Sequence, residues 1–413
     1  MDQITRVLVL EGNRALRERW AAEAGPAGVD IRLEIPDSAG LPQIQVARPD
    51  YLLLDGDLPD EIPGRVLAAL RLDPDLARLP VVWMTADDTA EARRQGYASG
   101  ADEVLAKPGS LDQIQAMLAA VSRFQLQFWG ARGTLPLTGQ ASLKYGGNTS
   151  CVSLDIGLKR HFLFDAGTGL RRYSQHLLER QAGRFDGRLF ISHPHWDHLN
   201  CLPFFAPFYI PGNRIAVMGP PQGERSFRQL LDAQMDGVFF PITTAAFAAD
   251  LTVADLVEGE SRYDGVAVSL YRLRHPGNCL AFRVEYCGHS LAYVTDNELG
   301  DFRRDDPYIE GLLAFLSGVE ILIHDTTYFD DEYPRKVNWG HSSVGQVVEL
   351  AGAANIRKLY LFHHDPEHGD AEIERKLACA RAKASQLRLS LECALAVEGE
   401  GYDLASGQVI SSS

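Results

Sequence analysis

Apolar residues in the first 122 positions fall in short runs separated by amphipathic stretches. The runs at 7–10, 51–54, 81–84 and 104–106 read as strands, and 29–34 as a fifth. Between them, 14–24, 63–72, 90–99 and 111–121 read as helices. Apolar strands alternating with amphipathic helices predict a parallel sheet covered on both faces. In such sheets function gathers at the carboxyl ends of the strands. Those ends carry Glu11, Asp55, Thr85 and Lys107.

From residue 124 the period changes. Phe124-Gln125-Leu126-Gln127-Phe128-Trp129 alternates like a strand, and glycine turns follow at Gly130, Gly133, Gly146-Gly147, Gly167 and Gly169. Strands are predicted near 151–156, 162–165, 189–192, 215–218, 266–271, 281–285, 290–294, 321–323 and 359–362. Helices are predicted near 307–316, 343–351 and 370–386, with Ser342 or Ser343 placed to cap the second. No internal repeat is visible, and Ser411-Ser412-Ser413 reads as a frayed tail. The chain of 413 residues therefore divides into 1–122 and 123–413, in keeping with roughly 100–200 residues per domain.

Composition narrows the class. Hydrophobic residues are 46% and charged residues 23%, the profile of a globular chain with a sizeable core. No run of about 18 apolar residues predicts a membrane helix, and Met1-Asp2-Gln3 does not open a signal peptide. The six cysteines (Cys151, Cys201, Cys279, Cys287, Cys379, Cys393) form no CxxC pair, so a reducing cytoplasm is expected. Net charge is −15. Residues 1–122 hold 12 Lys/Arg and 20 Asp/Glu, which leaves 28 and 35 of the totals 40 and 55 for the rest. Both parts are acidic. Binding a long nucleic acid needs Lys/Arg against phosphates, so a small substrate is favoured.

The strongest chemical signal is His193-Pro194-His195-Trp196-Asp197-His198, directly after a predicted strand. Imidazole and carboxylate suit zinc and other borderline divalent ions. A strand end followed by a turn lets His193 and His195 serve one ion and Asp197 and His198 a second. The string resembles the HxHxDH signature of the metallo-β-lactamase superfamily, and further motifs follow in that family's order across roughly 124–405. Phe164-Asp165-Ala166-Gly167 looks like the strand and turn that precede the signature. The resemblance implies an αββα sandwich. It implies that His193, His195 and His275 hold one ion, that Asp197, His198 and His363 hold another, and that Asp296 bridges them. His363 is favoured over His364 by its register at the strand end. The ions implied are zinc first, with manganese or iron as alternatives. His161, His176 and His368 are taken as structural or surface residues, and His289 as exposed.

A second cluster separates branches of that superfamily. His324-Asp325-Thr326-Thr327 and Trp339-Gly340-His341-Ser342-Ser343 resemble motifs of the tRNase Z and cyclic-phosphate phosphodiesterase branch. The resemblance implies that His341 protonates a leaving group and that Asp325 orients it, which suits a tuned acid near neutral pH. It also implies a hydroxide bridging two ions, attacking a phosphodiester, with Asp197 orienting it. The di-iron redox branch carries Glu where this chain has His195. A lactam, lactone or thioester hydrolase fits the metal motif, but not His324-Asp325 with His341. A tRNA processing role would need a basic docking arm, and no Lys/Arg-rich insert is seen. Arg132 either reaches a phosphate or makes a structural ion pair. Phe204, Phe205, Phe208, Tyr209, Phe239, Phe240 and Phe247, between His198 and His275, either stack a base or form a lid, or build a satellite core or a dimer contact.

The first unit resembles a two-component receiver domain of flavodoxin-like fold. Asp55 in Leu54-Asp55-Gly56-Asp57-Leu58-Pro59 takes the phosphoacceptor place, Thr85 the switch hydroxyl and Lys107 the active-site lysine. The resemblance implies a histidine kinase partner and Mg²⁺ at the phosphorylation site. Two departures weaken it: Glu11 is followed by Gly12, so one Mg²⁺-binding carboxylate is missing, and Val104 stands at the aromatic switch position. A degenerate receiver that dimerises or docks a partner is the alternative. The sequence thus reads as a cytoplasmic signalling protein in which a receiver-like unit precedes a dinuclear hydrolase acting on a small phosphodiester. The competing class is a non-enzymatic scaffold with a structural metal domain.

Overall fold

The computed structural model describes residues 4–23, 28–36, 41–87, 89–238, 240–301 and 305–411. Ala24, Phe239, Ser412 and Ser413, which the readings above touch, lie outside them. The chain divides into two compact units. The first is Met1–Arg123 with Ser261–Ala267 and Glu285–His289, and the second is the remainder.

Residues 4–123 of the first unit hold a five-stranded parallel sheet in the order Val29–Glu34, Thr5–Leu10, Tyr51–Asp55, Val81–Thr85, Glu103–Ala106. Val7 to Leu10, Leu52 to Leu54 and Val81 to Met84 are buried, as strands covered on both faces must be. The expected helices form as Arg14–Ala21, Ile62–Leu72, Ala90–Ala98 and Leu111–Val121. A further short helix, Leu41–Ala47, escaped the pattern because its one fully buried residue is Ile44.

From Phe124 onward the chain forms a sandwich. One sheet runs Asp250–Asp255, Arg214–Gly219, Asp186–Phe190, Arg160–Phe164, Cys151–Ile156, Phe124–Gly130, Glu400–Asp403, Gln408–Ser411. The other runs Gly259–Tyr263, Val266–Arg272, Leu280–Tyr286, His289–Val294, Ile321–Asp325, Lys358–Phe362, Glu392–Leu395. Aromatic rings fill the space between them: Phe164 lies 5.5 Å from both Phe282 and Tyr293, and Phe190 lies 5.6 Å from Phe282. Helix Gly169–Gln181 covers the outer face of the first sheet through Leu170, Tyr173 and Leu177. Helices Pro307–Leu316, Val344–Ala353 and Asp370–Gln386 cover the second. Helix–sheet–sheet–helix layering follows, because each sheet buries two faces.

The unpredicted elements have weak patterns. Gly259–Tyr263 is exposed at four of its five positions, so no alternation marks it. Gly169–Gln181 begins on glycine and sets four charged and several other polar residues among few apolar ones. The strand read at 189–192 stops at Phe190, because the chain must turn there to present His193.

The interlayer rings carry much of the sandwich. Phe282→Ala is expected to cost about 3–5 kcal/mol in urea unfolding, through lost burial plus a cavity. Leu158→Ala, at a half-exposed surface position, is expected to stay within about 0.5 kcal/mol of wild type.

Candidate metal centre

Both sheets deliver side chains from strand ends. Arg160–Phe164 runs into Asp165, and Asp186–Phe190 leads to His193. In the other sheet, His289–Val294 leads to Asp296, Ile321–Asp325 ends on Asp325, and Lys358–Phe362 runs into His363. Asp165, Asp296 and His363 have φ of 61°, 54° and 55°. Left-handed backbone at a non-glycine residue costs of order 1–3 kcal/mol and persists where surroundings over-determine it. Here it turns each side chain off its strand toward one point.

Two groups of ligand atoms result. His193, His195 and His275 form one, with His275 Nε2 3.1 Å from His195 Nδ1. Asp197, His198 and His363 form the other: Asp197 Oδ2 lies 3.1 Å from His198 Nε2 and 3.2 Å from His363 Nε2. Asp296 faces both. Its Oδ1 is 3.8 Å from His193 Nε2 and 3.6 Å from His275 Nε2, while its Oδ2 is 3.1 Å from His198 Nε2 and 3.2 Å from His363 Nε2. These residues fit divalent ions. His193 Nε2 is buried without a hydrogen-bond partner, which is costly unless something binds it. Burial, then neighbouring imidazoles, hold His193 well below the usual histidine range, and burial likewise lowers His195 and His275. Neutral imidazole is the ligating form.

The opposite ring nitrogens are held from behind. His198 Nδ1 meets Asp165 Oδ2 at 2.7 Å, His275 Nδ1 meets Gly340 O at 2.9 Å, and His193 Nδ1 meets Ser192 Oγ at 3.1 Å. Such partners fix ring orientation and basicity. Asp165 also accepts from Ser192 N–H at 2.7 Å and Tyr293 O–H at 2.7 Å. Its orienting role was not read from the sequence, although its place at a strand end was a usable signal. Two glycines make the crowding feasible. A Cβ on Gly133 would meet the His363 ring at 2.3 Å, and one on Gly340, at φ +84°, would meet His275 Nδ1 at 2.3 Å.

His341 stands beside both groups, its ring stacked on His363 at 5.0 Å. His341 Nδ1 meets Asp325 Oδ2 at 2.9 Å. Asp325 is fully buried and also accepts from Thr327 N–H at 3.0 Å, Thr327 Oγ1 at 2.9 Å and Asn297 N–H at 3.1 Å. Burial works against a charged His341, but Asp325 outweighs it and lifts the imidazole to about 9.

Other candidates lie elsewhere. His364 is buried outside both groups, with neither ring nitrogen hydrogen-bonded. Arg132 does not present itself to a substrate: it is 1% exposed and donates to the carbonyls of Gly146 and His368, which makes it structural. Phe205 and Phe208 belong to a satellite core on which Phe247 packs, while Phe204 is exposed and meets Phe240. His289 is half-buried rather than exposed.

In the first unit, Glu11, Asp55, Thr85 and Lys107 meet at the carboxyl edge of the sheet. Lys107 Nζ is 2.6 Å from Asp55 Oδ1 and 3.3 Å from Glu11 Oε1. Burial, then the neighbouring Asp55, pushes Glu11 up to about 7. The expected Mg²⁺ does not fit this arrangement. Asp55 Oδ1 is taken by Asp57 N–H at 2.9 Å and by Lys107, Oδ2 accepts only from Gly12 N–H at 2.9 Å, and Glu11 Oε2 is buried without a partner, so few carboxylate oxygens face an ion that needs an octahedral oxygen set. Val104 is fully buried in the core.

Comparison with known proteins agrees with this geometry. Residues 7–119 match the response regulator receiver domain, and residues 160–364 match the beta-lactamase superfamily domain. The chain carries a receiver domain followed by a metallo-β-lactamase domain. It is 29% identical to ribonuclease BN of Salmonella typhi over 271 residues, covering 54% of this chain and 84% of that protein. In fold it resembles the metallo-beta-lactamase fold protein YhfI from Bacillus subtilis (15% identity, TM-score 0.51, 68% of this chain and 99% of that one). Unliganded yeast PDE1 gives the same identity, TM-score and coverage. Among the described residues no helix is long and apolar enough to cross a membrane.

For the metallo-β-lactamase domain, Asp165→Asn is expected to weaken metal affinity about 10–100-fold, as loss of an outer partner does. Competition with a chromogenic chelator reads the affinity, and circular dichroism checks that the fold is kept.

Proposed function

We propose that the metallo-β-lactamase domain is a metal-dependent phosphodiesterase acting on a small substrate. The observation that carries this reading is the His341–Asp325 pair, held 2.9 Å apart beside both ligand groups. His193, His195 and His275 would hold one divalent ion, Asp197, His198 and His363 a second, with Asp296 between them; zinc suits these donors best, and manganese or iron are alternatives. Bound there, such ions lower the pKa of a water and offset charge on phosphoryl oxygens.

The chain's own residues do the rest. Asp325 keeps the His341 ring oriented through Nδ1, so Nε2 is the atom that gives a proton to the departing oxygen. With its remaining lone pairs occupied by Thr327 and Asn297, Asp325 cannot swing away. Thr134 N–H donates to Asp197 Oδ2 at 2.7 Å and fixes that carboxylate. A cavity of about 560 Å³ lined by Arg274, His275, Glu298, Tyr333, Asn338 and Gly340 opens beside the centre. That volume suits a small molecule. Lys336 Nζ lies 4.3 Å over the ring of Trp339 and 5.4 Å over Tyr328, whose ring packs on His341 at 5.9 Å. An ammonium held there suits an anionic substrate.

A structured RNA is the competing substrate, favoured by the likeness to ribonuclease BN. The acidic surface favours the small phosphodiester. Zinc- or manganese-loaded protein is expected to turn over bis(p-nitrophenyl) phosphate and a cyclic nucleotide, and not a thioester or a chromogenic lactam. His193→Ala should abolish turnover. Turnover of RNA alone, or none with any diester, overturns the reading.

The acid role gives a separate expectation. His341→Ala should lower kcat on an alkyl diester about 10²–10⁴-fold, and much less on the nitrophenyl ester, whose leaving group needs little protonation. The acid must be protonated to act, so the rate should fall as pH rises through the folded His341 pKa, which Asp325 raises. Asp325→Asn removes the charge that raises this pKa, so the alkaline limb of kcat/KM should move to lower pH.

A further inference from the structure

The receiver pocket holds a carboxylate that its resemblance does not explain. Asp57 lies two residues after Asp55, in the turn Gly56-Asp57-Leu58-Pro59. Its Oδ1 accepts from Thr85 Oγ1 at 3.0 Å, and its Oδ2 accepts from Ala86 N–H at 2.9 Å and lies 3.2 Å from Lys107 Nζ. A hydroxyl, an amide and an ammonium thus converge on one anion. Those three donors are the set an incoming oxyanion would need, and the chain fills it itself.

Asp55 is closed off as well. It is 3% exposed, its Oδ1 is held by Asp57 N–H and Lys107, and its Oδ2 is held by Gly12 N–H. To take a phosphoryl group, one of these oxygens must be free to attack phosphorus, and the transferred oxygens then need donors. Oδ1 has both lone pairs engaged, Oδ2 has one engaged, and the donors for the transferred oxygens are held by Asp57. Charge points the same way. Glu11, Asp55 and Asp57 face the single ammonium of Lys107. A phosphoryl group would add about −1.5 to −2 more. Gly12 supplies no second acidic side chain to hold a compensating cation, and the Leu58 tip occupies that place: a Cβ on Gly12 would meet Leu58 Cδ2 at 2.6 Å and Asp55 Oδ2 at 3.2 Å.

We propose that the Asp57 carboxylate is a resident stand-in for a phosphoryl group. It holds Thr85, Ala86 and Lys107 in the arrangement that a phosphorylated Asp55 would otherwise impose, so the receiver keeps one signalling state without a kinase. Gly56 permits the turn, because a Cβ there would meet Trp83 Nε1 at 1.8 Å. This inference does not depend on the hydrolase reading.

The test uses the full chain as wild type, Asp55→Asn, Asp57→Ala and Asp57→Asn. Wild type incubated with acetyl phosphate and Mg²⁺ should show no phosphoryl adduct by intact mass. Amide exchange over residues 85–87 should be unchanged in Asp55→Asn. It should rise roughly tenfold or more in Asp57→Ala, as loss of a charge-assisted hydrogen bond requires. The size-conserving Asp57→Asn should raise it less, which separates loss of the anion from misfolding. A wild-type adduct that Asp55→Asn abolishes overturns the proposal. So does exchange over 85–87 that is the same in wild type and in both Asp57 variants.

Discussion

Asp296 is where the metallo-β-lactamase domain meets its hardest constraint. A carboxylate 2% exposed must present one oxygen to His193 and His275 and the other to His198 and His363. Burial opposes its charge, and the surrounding imidazoles, His363 and His198 foremost, hold it well below the carboxylate range. That balance works only if the two sheets fix their strand ends to within a fraction of an ångström. The interlayer rings set the spacing, and Tyr293 links packing to chemistry directly. Its ring stacks on Phe164, its hydroxyl holds Asp165, and Asp165 holds His198. A well-packed core of this kind resists continuous deformation, which lets three residues sustain left-handed backbone at the rim.

The sequence made part of this legible because part of it is local. Four ligands in the run from His193 to His198 are neighbours in the chain, and their spacing alone suggests a site. His275, Asp296 and His363 come from three separate strand ends, and only the order of motifs in a known superfamily connected them. Asp165 had no such label. Its function depends on Ser192, His198 and Tyr293 arriving from other segments, which no local pattern encodes. Arg132 was open between a phosphate contact and a structural role, and only its burial against Gly146 and His368 decides for the second. The aromatic stretch after His198 was open between a stacking surface and a core, and Phe205, Phe208, Tyr209 and Phe247 go to the core beneath helix Gly169–Gln181.

The receiver domain was legible in its strands and in four residues at their ends. What the sequence left open was whether those residues make a working phosphorylation site. The departure at Gly12 was visible as a missing carboxylate. Its physical meaning was not, because Leu58 fills the space only through the fold of the turn after Asp55. Asp57 was quoted in the motif and given no role, since a carboxylate two residues beyond a phosphoacceptor carries no signal until its contacts to Thr85 and Ala86 are known.

The two sites solve the same electrostatic problem by different means. Each gathers carboxylates where a sheet ends and desolvates them, which is unstable unless positive charge or donors are supplied. In the metallo-β-lactamase domain the carboxylates face a ring of imidazoles that could hold cations, with His193 Nε2 left without a hydrogen-bond partner. In the receiver the answer is one lysine, a hydroxyl and backbone amides, all engaged by the chain's own carboxylates. The receiver too leaves one buried atom without a partner, Glu11 Oε2, but its donors are engaged by its own carboxylates, whereas the histidines of the other site leave ligand atoms facing one another.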